Sequence, residues 1–232
     1  MKQSDIPIHV AVIPDGNRRW AKTKGLPSLE GHRIAAQKTL PKLIKKAHEF
    51  GIKYFTFWAM STENYAKRSK LELGGLFTLM RILYRLKRSE IMKNKIRVRI
   101  MGDVSTFPDD IQKLIAKGLH ETAQNDGGTL IFAVNYGGRD EIIRALHKIS
   151  NSQYPISKLN TKNFNLFLDT EEIPDPDLII RTGGEKRLSG FMPWQSEYSE
   201  LYFSDVYFPD FDEKEFEKAI QNYSLRKRRF GK

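Results

Sequence analysis

Asp15, Gly16 and Asn17 stand just past a short apolar run, Val10-Ala11-Val12-Ile13, and Arg18, Arg19 and Trp20 follow at once. Guanidinium groups offer a planar fork of donors that matches phosphate oxygens. The amides of Gly16, Asn17 and Arg18 could face an anion, because glycine tolerates a positive φ and a close backbone approach. Asp15 is a carboxylate where an anion would sit, and a Mg²⁺ shared between it and phosphate oxygens would resolve that conflict. A plain strand-to-helix turn accounts for the same residues, since Asp, Gly and Asn are ordinary turn formers.

Three later clusters have similar chemistry. Ser61-Thr62-Glu63-Asn64-Tyr65 ends a second apolar run, Tyr54 to Met60, and reads either as a polar edge shared with the first run or as a helix cap. Asn135-Tyr136-Gly137-Gly138-Arg139-Asp140-Glu141 follows a third run; its paired glycines suit a phosphate cradle or a tight turn. Pro176 to Asp205 is the richest stretch: Arg181 closes a strand, Gly183-Gly184 free the backbone, and Arg187, Leu188 and Ser189 add an arginine fork and a hydroxyl suited to a diphosphate. His32 sits just inside a helix after the first cluster, either structural or turned toward the same ligand.

These clusters need elements that end at one edge. Apolar runs predict strands near 8–14, 52–60, 96–101, 129–135, 177–181 and 201–203. Amphipathic spacing predicts helices near 29–49, 71–93, 108–125, 138–150 and 212–228. Residues 150–173 read as a connecting segment with a short helix. Strands alternating with helices predict a single α/β domain, residues 1–232, with a mainly parallel sheet of about six strands flanked by helices. In such sheets ligands sit at the carboxyl ends of the strands.

The chain has 232 residues, 40% of them hydrophobic and 29% charged, no cysteine and a net charge of +11. That composition suits a soluble protein with a substantial core and excludes disulfides and thiolate metal sites. No apolar run approaches the ~18 residues of a membrane span. The early apolar run is too short for a signal peptide, which points to the cytoplasm. The positive charge calls for an anionic partner. Nucleic acid is the reading from charge alone, but no helix-turn-helix, zinc-finger or RNP pattern accompanies it. The basic residues between Arg81 and Arg99 read as a solvated face, with peripheral membrane contact as a second reading.

The residues His9 to Ala21 resemble the first signature of the cis-prenyltransferases, the undecaprenyl diphosphate synthase family, H-x-x-x-I-M-D-G-N-x-R-W-A. Gly31-His32 matches the family's G-H. Ser61 to Asn64 matches S-T-E-N of F-S-T-E-N-W-x-R-P, with Tyr65 for Trp and the arginine one residue late, as Arg68 after Lys67. Asn135 to Glu141 matches N-Y-G-G-R-x-E/D, and Pro176 to Phe203 keeps nearly every fixed position of the P-D-L-x-I-R-T signature. The family often has arginine where Ser28 stands.

This resemblance implies condensation of isopentenyl diphosphate onto an allylic prenyl diphosphate such as geranyl, farnesyl or geranylgeranyl diphosphate, with a new cis double bond and Mg²⁺ as cofactor. By resemblance Asp15 and Asn64 are catalytic, Asn64 assisting proton removal. Gly16, Asn17, Arg18, Arg19, Trp20, Ser61, Thr62, Glu63, Tyr65 and Arg68 belong to the substrate site. His32 lies near the homoallylic diphosphate, which Arg181, Arg187, Leu188 and Ser189 would hold. Asp15 and, across a homodimer interface, Glu200 would hold the metal, and Arg229 and Gly231 of an R-x-G would reach the partner's site. The helix near 71–93 would wall a hydrophobic tunnel for the growing chain. The rival reading is a catalytically silent partner subunit of such an enzyme.

Overall fold

A computed structural model of the chain describes residues 5–226; Arg229 and Gly231 lie outside the described residues. The first strand, β1 (His9–Ile13), leads into α1 (Asn17–Thr23) and α2 (Ser28–Ile34), then through a π-helical turn (Ala35–Thr39) into α3 (Leu40–Phe50). There follow β2 (Tyr54–Ser61), α4 (Thr62–Lys67), the long α5 (Lys70–Lys93), β3 (Arg97–Met101) and α6 (Asp109–Thr122). The second half holds β4 (Thr129–Tyr136), α7 (Gly138–Asn151), the short α8 (Thr161–Phe164), β5 (Leu178–Arg181), β6 (Glu200–Phe203) and α9 (Glu213–Leu225).

The six strands form one sheet in the order β3-β4-β2-β1-β5-β6. Every pairing is parallel, so the expected mainly parallel sheet is wholly so. Side chains alternate across it, as the two-residue strand period requires. Val10 and Val12 join Phe55, Phe57, Leu178 and Ile180 against α3 and α9, whose Leu43, Phe216 and Ile220 are fully buried. Ala11 and Ile13 point the other way, to Ile131, Ile179, Phe191 and Met192. Each such large side chain contributes about 1.5–3 kcal/mol by leaving water. A third cluster joins Met60 and Val134 to Phe77 of α5 and Ile111 and Ile115 of α6.

Two helical expectations change. Residues 17–23, where no helix is predicted, form α1, whose first turn is fixed by Gly16 at φ 98° and by the Trp20 amide donating to the Gly16 carbonyl at 2.8 Å. The helix expected over 29–49 carries the wider π turn just before Pro41. Proline has no N–H for the α-helical ladder and its ring crowds the preceding turn, and the wider turn absorbs both defects.

Candidate active site

The carboxyl ends of β1, β2 and β5 converge where the strand order changes direction, with β2 on one side of β1 and β5 on the other. In open parallel sheets such a crevice is where ligands bind. Asp15 leaves β1 here. Its Oδ2 accepts from Arg181 Nη2 at 2.9 Å, its Oδ1 accepts from the Gly16 amide at 2.6 Å, and Arg19 stands 3.2 Å away. Burial pushes the Asp15 carboxyl up, but Arg181, the Gly16 amide and Arg19 outweigh it and hold it below its usual value. Gly16 has no substitute: a Cβ there would lie 2.5 Å from Tyr207 Cδ1, on a backbone that L side chains avoid.

Asn17 is buried, and its Nδ2 donates to the Pro14 carbonyl at 2.9 Å, so it clamps the turn. Arg18 is exposed at the start of α1. Arg19 also reaches Glu185 at 3.7 Å and lies over the Tyr207 ring. α2 crosses α1 closely enough that a Cβ on Gly31 would meet the Asn17 carbonyl at 2.0 Å. That contact brings His32 beside Arg68 and Arg18; burial first, then those two cations, push its imidazole down to about 4.

A bulge in β2 between Trp58 and Ser61 turns the strand end toward α4, and Ser61 Oγ caps α4 by accepting from the Asn64 amide at 3.0 Å. The capping reading of this segment therefore holds. Asn64 and Glu63 line a cavity, and so does Arg68. Arg68 is half-buried with Nη1 enclosed and unpartnered, whereas Lys67 is exposed. The extra residue thus turns Arg68, not Lys67, inward. Burial above all, then Arg18, lowers its basicity, while Glu72 opposes them. Tyr65 points elsewhere: its hydroxyl donates to the Thr106 carbonyl at 2.9 Å and its ring packs on Phe107.

Arg181 is buried at the end of β5, with Nη1 donating to the Arg187 carbonyl at 2.5 Å and to Ser189 Oγ at 2.8 Å. Arg187 is exposed and paired with Glu185 at 2.5 Å, and Leu188 packs on the second core cluster. Trp58, not singled out from sequence, stacks on Phe191 at 4.8 Å and donates from Nε1 to the Tyr136 carbonyl at 3.1 Å, backing this loop.

The cavity, about 520 Å³, opens between Asp15, His32, Asn64, Arg68, Arg181 and Ser189. It runs between the sheet and α3, α5 and α6, lined by Phe57, Leu76, Leu79, Met80, Leu83 and Phe132 among others. In α5, Gly75 serves close packing, since a Cβ there would meet Leu29 Cδ2 at 2.8 Å; Gly74 faces open space. A charged rim on an apolar interior can hold an amphiphile by its anionic head.

Glu200 starts β6, level with Val10 through Leu178, so it lies about five residues, or ~16 Å, below the Asp15 edge. There it pairs with Arg226. Among the described residues no group of three or more His, Cys, Asp and Glu could hold a metal ion. Asp15 alone still fits a Mg²⁺, which is commonly bound by one or two carboxylates together with substrate phosphates.

Residues 13–231 match the family described as putative undecaprenyl diphosphate synthase. An isoprenyl transferase of Fusobacterium nucleatum is 45% identical over 229 residues, covering 99% of this chain and 97% of that protein. The structure of lavandulyl diphosphate synthase from Lavandula x intermedia, in complex with dimethylallyl diphosphate, superposes with a TM-score of 0.93 at 34% identity, covering 99% of this chain and all of that one. A probable undecaprenyl diphosphate synthase from Campylobacter jejuni gives a TM-score of 0.81 at 34% identity, covering 97% of this chain and 99% of that one.

Proposed function

The chain belongs to the undecaprenyl diphosphate synthase family and is a prenyl-transferring enzyme, and on that premise we propose that it condenses isopentenyl diphosphate with an allylic prenyl diphosphate to form a cis-polyprenyl diphosphate, as a Mg²⁺-dependent homodimer. The observation that carries this reading is the apolar cavity whose mouth combines Asp15 with Arg68, Arg181, His32 and Asn64. Such a mouth fits substrates with a diphosphate head and a hydrocarbon tail.

In this reading the Gly16–Arg19 turn faces the allylic diphosphate. Arg181, Arg187 and Ser189 hold isopentenyl diphosphate, with neutral His32 beside it. The allylic C–O bond breaks as the homoallylic alkene forms the new C–C bond. A proton then leaves the former isopentenyl unit, assisted by Asn64. The arginines stabilise the charge that collects on the departing diphosphate. Asp15, with Glu200 of the partner subunit, would hold Mg²⁺, which when bound neutralises that leaving group as a Lewis acid. The tail enters the cavity, where each buried methylene contributes about 0.8 kcal/mol.

The test is incorporation of labelled isopentenyl diphosphate with Mg²⁺ and, in parallel, dimethylallyl, geranyl, farnesyl or geranylgeranyl diphosphate. The dimethylallyl arm follows the ligand of the lavandulyl diphosphate synthase. Metal-dependent chains that disappear in Asp15→Ala support the reading. No incorporation with any primer overturns it in favour of a silent partner subunit.

A further inference from the structure

α5 presents two apolar faces, and the cavity accounts for one. Leu76, Met80 and Leu83 turn inward and line it. Leu71, Ile82 and Leu86 turn outward and are 86%, 36% and 62% exposed. A helix packed on a core ordinarily gives its outer face to polar residues. The helical period sets these three side chains on one side, along about 22 Å of helix. Gly75, one turn after Leu71, extends the band to α2. A Cβ there would meet Leu29 Cδ2 at 2.8 Å, so Leu29, itself 42% exposed, lies across the helix at that point. The band therefore starts at the helix that carries His32 and continues toward the far end of α5.

The free charges beside the band are of one sign. Arg85 and Lys93 flank Leu86 on the same side, and both are exposed. Arg81, Lys87 and Arg88 are engaged by Asp110, Glu90 and Glu121, whereas among the described residues Arg85 and Lys93 form no ion pair. The carboxylates of α5 are taken up as well: Glu72 closes the capping box with Ser69, and Glu90 holds Lys87. Apolar side chains between unpaired cations match a surface that offers anionic headgroups above hydrocarbon. A second copy of the chain is a poorer match, because two-fold pairing of this face would bring two sets of the same cations together. Among the described residues no helix is long and apolar enough to cross a membrane, and α5 is tied to α6 through Phe77, Ile111 and Ile115, so the contact lies along the helix flank.

We propose that the outer face of α5, with Leu29, is a docking surface for a bilayer containing anionic phospholipid. Leu71, Ile82 and Leu86 enter the headgroup region, and Arg85 and Lys93 meet the lipid phosphates. The docking rests on this surface and not on the proposed condensation, so vesicle binding and turnover fail independently.

The experiment floats the full chain with vesicles of phosphatidylcholine, alone or with about one-third phosphatidylglycerol. The protein is expected to float with the anionic vesicles, to bind the neutral ones about tenfold more weakly, and to be released as salt rises. Leu86→Ser and Arg85→Glu are each expected to weaken binding about tenfold. Both side chains are exposed and outside the cavity lining, so turnover of a short primer in solution is expected to stay within about twofold of wild type. Lys162→Glu reverses an equal charge on α8, which packs on α7, and is expected to bind as wild type does. Absence of flotation, equal flotation of all variants, or an equal loss in Lys162→Glu overturns the docking face. A lower sedimentation mass in Leu86→Ser also overturns it, because the band is then an interface between copies of the chain.

Discussion

Asp15 and Arg181 face each other at 2.9 Å across the carboxyl ends of two adjacent parallel strands. Arg181 is nearly buried, so its charge depends on that carboxylate and on the oxygens of Arg187 and Ser189. Asp15→Asn keeps the shape and removes the countercharge. Turnover with Mg²⁺ is expected to fall by about 10²–10³-fold, the usual effect of deleting one charge-stabilising group. Stability is expected to drop by about 1–3 kcal/mol from the uncompensated guanidinium. Steady-state incorporation and urea unfolding check the two parts.

Arg68 and Lys67 separate cleanly in space. Arg68→Ala is expected to raise the KM of a diphosphate substrate about 10–100-fold, the value of a charge-assisted hydrogen bond. Its melting temperature is expected to hold or rise, because a half-buried cation near Arg18 is removed. Lys67→Ala is expected to match wild type in both assays.

His9 and His32 give a pH signature. His9 is fully enclosed, with Nδ1 at 2.6 Å from the Pro174 carbonyl and Nε2 at 2.8 Å from Thr56 Oγ1, and burial holds it at about 4. His32 is also held at about 4. Both charge less readily folded than unfolded, so the unfolded chain takes up more protons between about 6.5 and 4. Stability is full above that window and is lost as pH falls through it. Asp15 acts lower, its contribution present above 3.8 and lost as pH falls through its depressed folded value. Melting temperatures from pH 7 to 4 should show the decline, and His9→Gln should flatten it.

The far part of the cavity is closed by polar groups. Arg88 lies 18 residues beyond Lys70 in α5, about 27 Å along the helix from the charged mouth. It forks onto Glu121 of α6 at 2.8 and 2.9 Å, and the Tyr84 hydroxyl donates to the same carboxylate at 2.9 Å. Arg88→Ala and Tyr84→Ala are expected to lengthen the product, read by chromatography of the dephosphorylated lipids. The melting point should barely change in Arg88→Ala, since the Arg88 side chain is half exposed.

Strand positions were legible because buried parallel strands read as short apolar runs bounded by polar turns. α1 was not, since only Ala21 of its seven residues has a buried apolar side chain and its cap is a backbone conformation. The π turn was hidden because side-chain periodicity scarcely registers one extra residue per turn. Asp15 and Arg181 stood out by type and position at strand ends, and Ser189 as a hydroxyl beside an arginine, whereas Asn64 was singled out by the family resemblance. The choice of Arg68 over Lys67 could not, because the bulge in β2 and the cap at Ser61 decide which way α4 presents its end. Tyr65 shows the converse: the family resemblance placed it in the site, but its hydroxyl donates to the Thr106 carbonyl.

The 520 Å³ cavity runs from the charged mouth at Asp15 and Arg181 to the far residues Tyr84, Arg88 and Glu121, all supplied by this chain. If each addition occurs at the same fixed mouth, the early lipid units never leave; they are displaced deeper by their successors. Every cycle then meets the same chemistry, and nothing at the mouth counts how many have passed. Termination becomes a question of remaining room, so product size is metered by volume, and a sharp length distribution needs no clock.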